Sequence, residues 1–220
     1  MDYTSIHIYG HLLSDDILHE IETDSSMQGN REQDFNLDVS LTAKVDNAWS
    51  SLRNDWKLFA ERNTLRDPYG TKSVRRLMER FFSSLDYQLD FQPAQIEAGE
   101  RRFDIPYVCP ELGQMPIIIV GDKTGDATLD TLDKCTLDQR VKGERRQKSP
   151  HATMLDYFNS TEHVYGIVTN GQVLRVIRNT GQLVKLTYIE FDLRRMIEED
   201  HYAEFCLLFR LMHTSRFTHS

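Results

Sequence analysis

The 220-residue chain sets 26 lysines and arginines against 34 aspartates and glutamates, a formal charge of -8, with 40% of its residues hydrophobic and 27% charged. Such a composition suits one full hydrophobic core with a smaller helical extension, and its acidity argues against broad non-specific binding of nucleic acid while permitting a local basic face. No run has the apolar length of a membrane span, and no basic region precedes the apolar residues of MDYTSIHIYGHLL, so the expectation is a cytoplasmic protein that makes no membrane contact.

From the N-terminus, Ser14 followed by Asp15, Asp16 and the apolar pattern ILHEI predicts an N-capped helix that ends near Thr23, with the two acids favourably placed in its first turn. The polar stretch 24–36 reads as a loop. From 41 to 63, Val45, Trp49, Leu52, Trp56 and Phe59 recur at helical spacing, a stripe that belongs to a core or a docking surface. Asp67-Pro68-Tyr69-Gly70 has turn composition. Beyond Ser73, Val74, Leu77, Met78, Phe81, Phe82 and Leu85 form a second apolar helical face. Residues 1–70 are therefore expected as a helical extension and residues 71–220 as the main domain.

Past Asp86 the period changes. Residues 87–92 alternate apolar and polar, 102–108 form another candidate strand, and 115–120 are a continuous apolar run suited to a central strand. The segment 121–149 is polar and charged and reads as a long loop with a short helical turn near Leu129 to Leu137; it carries a basic cluster of Arg140, Lys142, Arg145, Arg146 and Lys148, and loops of that length are functional or disordered. Ser149-Pro150 opens a helix as N-cap serine with proline at the first helical position. Two apolar runs, 164–169 and 173–177, then flank Asn170-Gly171, which predicts a hairpin whose two turn residues both take positive φ. A strand over 186–191 and a helix over 192–214, interrupted at Glu198-Glu199-Asp200, complete the chain. Cys109, Cys135 and Cys206 are odd in number without paired ligand spacing, so neither a disulfide framework nor a zinc site is expected. His151, His163, His213 and His219 likewise lack metal spacing with a third ligand and read as structural or solvent-facing. Glu97, Glu100 and Asp104 form an acidic cluster that suits either a bound cation or, more readily, an exposed strand edge kept soluble by charge, and Ser215 and Cys109 have no base partner recognisable in the sequence.

The element order is mixed α/β (α+β), and it resembles the core of PD-(D/E)xK nucleases, a mixed sheet flanked by helices. In that fold an acid sits on the second strand and an acid-x-Lys triplet ends the third. Two carboxylates there hold a divalent metal beside the scissile phosphate while the lysine steadies or helps deprotonate the attacking water. The resemblance puts Asp104 on the second strand and Gly121-Asp122-Lys123 at the end of the third. Glycine thus stands where the acid belongs, and Asp122, one residue on, points to the opposite face of a strand. Asp104, Asp122 and Lys123 are the catalytic candidates, expected as a degenerate set with no resident metal; Mg²⁺ is implied only if nuclease activity survives.

A narrower resemblance rests on GHLLSDDIL from Gly10, on Ala48-Trp49 with Trp56, on SPHATMLDYFNSTEHVYGIVTNGQVLRVIRN from Ser149, on YIEFDL from Tyr188, and on Leu211-Met212-His213 with Ser215-Arg216-Phe217. Together, in order, these are similar to the N-terminal region of large bacterial type IIG restriction-modification proteins, which carry an adenine-specific DNA methyltransferase behind a nuclease-like front. The chain departs from that pattern at Ile105-Pro106-Tyr107, where Ile-Ser-His is common, and at Leu155-Asp156-Tyr157, where Gln-Glu-Tyr is common and the glutamine helps orient active sites. It has no glycine-rich cofactor loop after a strand and no Asn-Pro-Pro-Tyr or Asp-Pro-Pro-Tyr motif, since Asp67-Pro68-Tyr69 lacks the second proline. S-adenosylmethionine is accordingly expected only in a downstream domain or partner. Two functional classes follow: a non-catalytic, nuclease-like module that positions double-stranded DNA for a methyltransferase domain or subunit, or an active Mg²⁺-dependent endonuclease using Asp104, Asp122 and Lys123, with Glu97 as a further candidate.

Overall fold

The computed structural model describes residues 3–10, 12–61, 71–121, 135–140, 148–180 and 187–217. Its centre is a seven-stranded mixed sheet in the order β1-β9-β8-β7-β6-β5-β2, made of β1 (Ile6–Tyr9), β2 (Asp90–Phe91), β5 (Tyr107–Cys109), β6 (Met115–Ile119), β7 (Tyr165–Thr169), β8 (Val173–Arg178) and β9 (Tyr188–Asp192). A separate hairpin pairs β3 (Ile96–Ala98) with β4 (Arg101–Phe103). Every pairing in the large sheet is antiparallel except β6 with β7. A parallel pair needs a crossover, and this one holds α4 (Cys135–Asp138) and α5 (Pro150–Phe158).

Strand alternation divides the core in two. Ile117, Ile119, Ile167, Leu174, Val176, Ile189 and Phe191 meet the apolar faces of α2 (Leu41–Glu61), α3 (Thr71–Ser84) and α7 (Tyr202–Met212). Ile118, Val120, Val168 and Ile177 join Met154 and Phe158 of α5 on the other side. Burial on both faces is why β6 and its extension read as an unbroken apolar run. Trp49 and Trp56 are buried on α2, and Trp49 lies 4.9 Å from the Phe205 ring of α7; each such side chain contributes about 1.5–3 kcal/mol of burial. Residues of α2, together with Leu18 of α1 (Asp15–Thr23) and Ile6 of β1, share one continuous cluster with the sheet.

Helix boundaries follow their local signals. Ser14 accepts from the N–H of Ile17 and Ser149 from that of Ala152, each capping its helix. The helical stretch after β9 divides into α6 (Leu193–Glu198) and α7 where Asp200 takes φ 59°. Three expectations are corrected. The strand expected over 102–108 is broken because Pro106 has no N–H to give a ladder; its carbonyl instead accepts from Gln92 N at 2.9 Å, and β4 turns away to pair with β3. The strand expected over 87–92 shrinks to β2, since Tyr87 turns inward and its hydroxyl donates to the Met212 carbonyl at 2.7 Å. In the β7–β8 turn only Gly171 has positive φ, 86°. Asn170 instead holds the turn with its side chain, whose Oδ1 accepts from the N–H of Gln172 at 3.0 Å and of Val173 at 2.9 Å, while Gly171 stands at the first central position as in type II′ hairpins. A Cβ on Gly171 would meet Val74 Cγ1 at 3.1 Å, so this end of the sheet sits directly on α3. The turn expected at Asp67–Gly70 lies outside the described residues.

Candidate functional site

The parallel crossover decides which groups share one end of the sheet. His151, in the first turn of α5, lies beside Arg175, which pairs in register with Val168 near the end of β7, whereas Met154 and Phe158 further along press on Gly166 near its start. Helix α5 therefore runs antiparallel to β6 and β7, and its N-terminus lies at the end where β6 finishes. There Val120 N donates to Thr169 O at 2.9 Å, continuing the parallel pairing, and Gly121 follows, buried.

Gly121 is the described part of the stretch expected to match an acid-x-Lys triplet, and it brings no side chain. Asp122 and Lys123 lie outside the described residues. Asp104 occupies the connection between β4 and β5 and is partly exposed. Among the described residues no group of three or more His, Cys, Asp or Glu gathers as a metal would require. Of the basic cluster, Arg140 is exposed just after α4 and Lys148 is exposed just before α5; Lys142, Arg145 and Arg146 lie outside the described residues. Lys148 donates to Asp156 Oδ2 at 2.7 Å, and Arg101 of β4 donates to the same oxygen. Partial burial works against the Asp156 carboxylate, but the two cations hold its pKa below the usual range. The β3–β4 hairpin is thereby tied to α5. Its own Glu97 pairs with Arg102 across the strands at 2.9 Å.

The strongest polar constellation lies beneath α5. Alternation along β8 turns Arg175 inward, onto the face that holds Val168 and Ile118, and the facing residue of β9 is Glu190. The two side chains are 4% and 1% exposed and meet at 2.6 Å. The remaining guanidinium nitrogens grip Asp138 in a fork, Nη1 to Oδ1 at 2.6 Å and Nη2 to Oδ2 at 2.7 Å, the geometry in which arginine binds carboxylate most strongly. Nη1 also donates to His151 Nδ1 at 3.2 Å, and the ring of Tyr188 lies 4.8 Å from the guanidinium carbon. Asp138 is held below the ordinary carboxylate range, first by its hydrogen bonds from Arg175 and against its partial burial. This fork fixes α4 to the sheet, so the basic segment leaves from an anchored Arg140 and returns at an anchored Lys148. The arrangement escaped sequence reading, although its signal was present: Arg175 and Glu190 are opposite charges in the interiors of two strands, each flanked by apolar residues.

His151 is pushed down to about 4, by burial first and then by the neighbouring Arg175 charge. Above pH 6.5 the imidazole is neutral in both folded and unfolded chains. Between 6.5 and about 4 the unfolded chain binds a proton that the folded one refuses, so stability falls as pH falls, by about 3 kcal/mol at full extent. Urea unfolding from pH 7 to pH 4 should show this extra loss in the wild type and not in His151→Gln; parallel pH curves for the two would mean that the folded imidazole is solvated.

A second histidine closes the end of α7. His213 is 3% exposed and shares its Nε2 hydrogen with Asp86 at 3.0 Å, while Asp86 also takes Lys44. Ser215 does have a base within reach, since its Oγ lies 2.9 Å from His213 Nδ1. That nitrogen also caps the Ser215 N–H at 3.3 Å, and the hydroxyl oxygen takes donors from Arg216. These hydrogen bonds together pin the C-terminal turn to the end of α3. Among the described residues no helix is long and apolar enough to cross a membrane. The chain matches no family model, no curated protein and no solved structure in the comparisons made with each.

Proposed function

We propose that the chain is the nuclease-like front portion of a DNA restriction-modification protein of the adenine-methyltransferase kind, a degenerate PD-(D/E)xK module that docks on duplex DNA for a methyltransferase domain or subunit. The reading is supported by α3 followed by the antiparallel neighbours β2, β5 and β6, with the β3–β4 hairpin inserted between β2 and β5, and by the parallel crossover through α4 and α5 to β7. The observation that carries it is Gly121, buried at the end of β6 where the fold's metal-binding acid would stand. The competing reading, an active Mg²⁺-dependent endonuclease, draws on Asp104, which is partly exposed just before β5. S-adenosylmethionine belongs to the partner in either case.

DNA contact in this acidic protein should run through the basic segment that α4 and α5 bracket. Lysines and arginines without interleaved aromatics meet backbone phosphates and carry little base information. Replacing Arg145, Arg146 and Lys148 together by alanine is expected to weaken duplex binding and to lower the slope of log affinity against log salt by about 0.9 for each phosphate that the protein no longer neutralises. Fluorescence anisotropy on a labelled duplex across a salt series measures both. An unchanged affinity and slope in the triple variant contradicts the assignment.

A further inference from the structure

On the sheet face opposite α5, the strands, the residues ahead of α1 and the end of α7 border a solvent-open groove of about 320 Å³. Val176, Ile189 and Phe191 form its floor, and Leu13 and Met212 are among its walls. That volume falls at the lower end of small-molecule sites, about 300–1,000 Å³, which pair apolar linings with a few placed polar groups. Two arginines, Arg178 and Arg216, stand in the lining and no acid does, although the protein as a whole carries a charge of -8.

The two guanidiniums differ in what they are free to do. Arg216 is committed to the fold: it donates to the carbonyls of Gly29 and Asp34 and lies 4.1 Å over the Phe35 ring. Arg178 ends β8 opposite Tyr165 and is exposed, and among the described residues its guanidinium has no hydrogen-bond or ion-pair partner. An arginine fork beside an apolar floor is complementary to a carboxylate on a hydrocarbon body, because the fork matches both oxygens while the floor takes the chain out of water. We propose that this groove binds a small amphipathic carboxylate, its hydrocarbon on Val176, Ile189 and Phe191 and its carboxylate on Arg178. The groove lies on the other side of the sheet from α5 and Lys148, so it stands apart from the DNA face.

Decanoate, titrated calorimetrically below its micellar range, is the probe, with 1-decanol as its uncharged counterpart and the Met212 methyl resonance as the reporter of position. The expected result is one-to-one saturation by decanoate with a shift of the Met212 methyl. Binding should fall about tenfold or more in Arg178→Gln, the loss of a charge-assisted pair, with 1-decanol binding the same in both proteins. Arg178 is exposed at a strand end, so the variant is expected to unfold as the wild type does. Absence of saturable decanoate binding, equal decanoate affinity in Arg178→Gln, or saturation that leaves the Met212 methyl unmoved overturns the proposal.

Discussion

Arg175→Ala is expected to destabilise the protein by about 3–5 kcal/mol, the cost of breaking a buried ion pair from one side. Most of that loss comes from Glu190, which is 1% exposed and would be left as a buried carboxylate without its 2.6 Å partner. Little comes from Asp138, whose side chain is 55% exposed and regains water. Removing both buried charges should therefore cost far less: Arg175→Met with Glu190→Leu keeps apolar volume under α5 and is expected to be near neutral or stabilising. Urea unfolding of the two variants, read at constant slope, tests this. A loss below about 1 kcal/mol in Arg175→Ala would mean that water reaches the cluster. The double variant also separates stability from the proposed DNA contact, since it is expected to fold but to lose its grip on Asp138. With α4 released, the basic segment should bind duplex DNA more weakly although all of its own charges remain.

The parts of the fold that sequence reading captured are those whose signals are local. Ser14 and Ser149 cap their helices through neighbouring N–H groups, and the apolar spacing of α2 and α3 marks the same residues that are buried. The strands that went astray depend on distant partners. Ile6–Tyr9 is too short to signal itself and becomes a strand by pairing with Tyr188–Phe191 at the far end of the chain. Pro106 ends a strand that alternation alone extends through it, and Asn170 takes through its side chain the role that turn statistics assign to its backbone. The site was legible only in part. The apolar run before Gly121 does form β6, but the fork from Arg175 to Asp138 spans 37 residues. No local pattern shows that α4, ahead of the basic residues, is held by a buried arginine.

The chain should fail to nick duplex DNA in Mg²⁺ or Mn²⁺, a deficit of many orders of magnitude relative to a working metal-dependent nuclease. With glycine at position 121, the proposed motif keeps one described carboxylate, Asp104 in the connection between β4 and β5, and one carboxylate rarely holds a hydrated Mg²⁺ well enough for phosphodiester hydrolysis. Gly121→Glu returns an acid two residues before Lys123 and is expected to give weak Mn²⁺ binding. Gly121 is buried, so the new carboxylate costs stability unless metal neutralises it, and the variant's unfolding midpoint should rise with Mn²⁺ while that of the wild type does not.

The most direct measurement is a nicking assay on supercoiled plasmid with Mg²⁺ and with Mn²⁺, run on the wild type beside Asp104→Ala and Lys123→Ala. A degenerate module leaves the plasmid supercoiled in all three. Metal-dependent nicking by the wild type that both substitutions abolish would contradict the account and establish an active endonuclease built on Asp104 and Lys123.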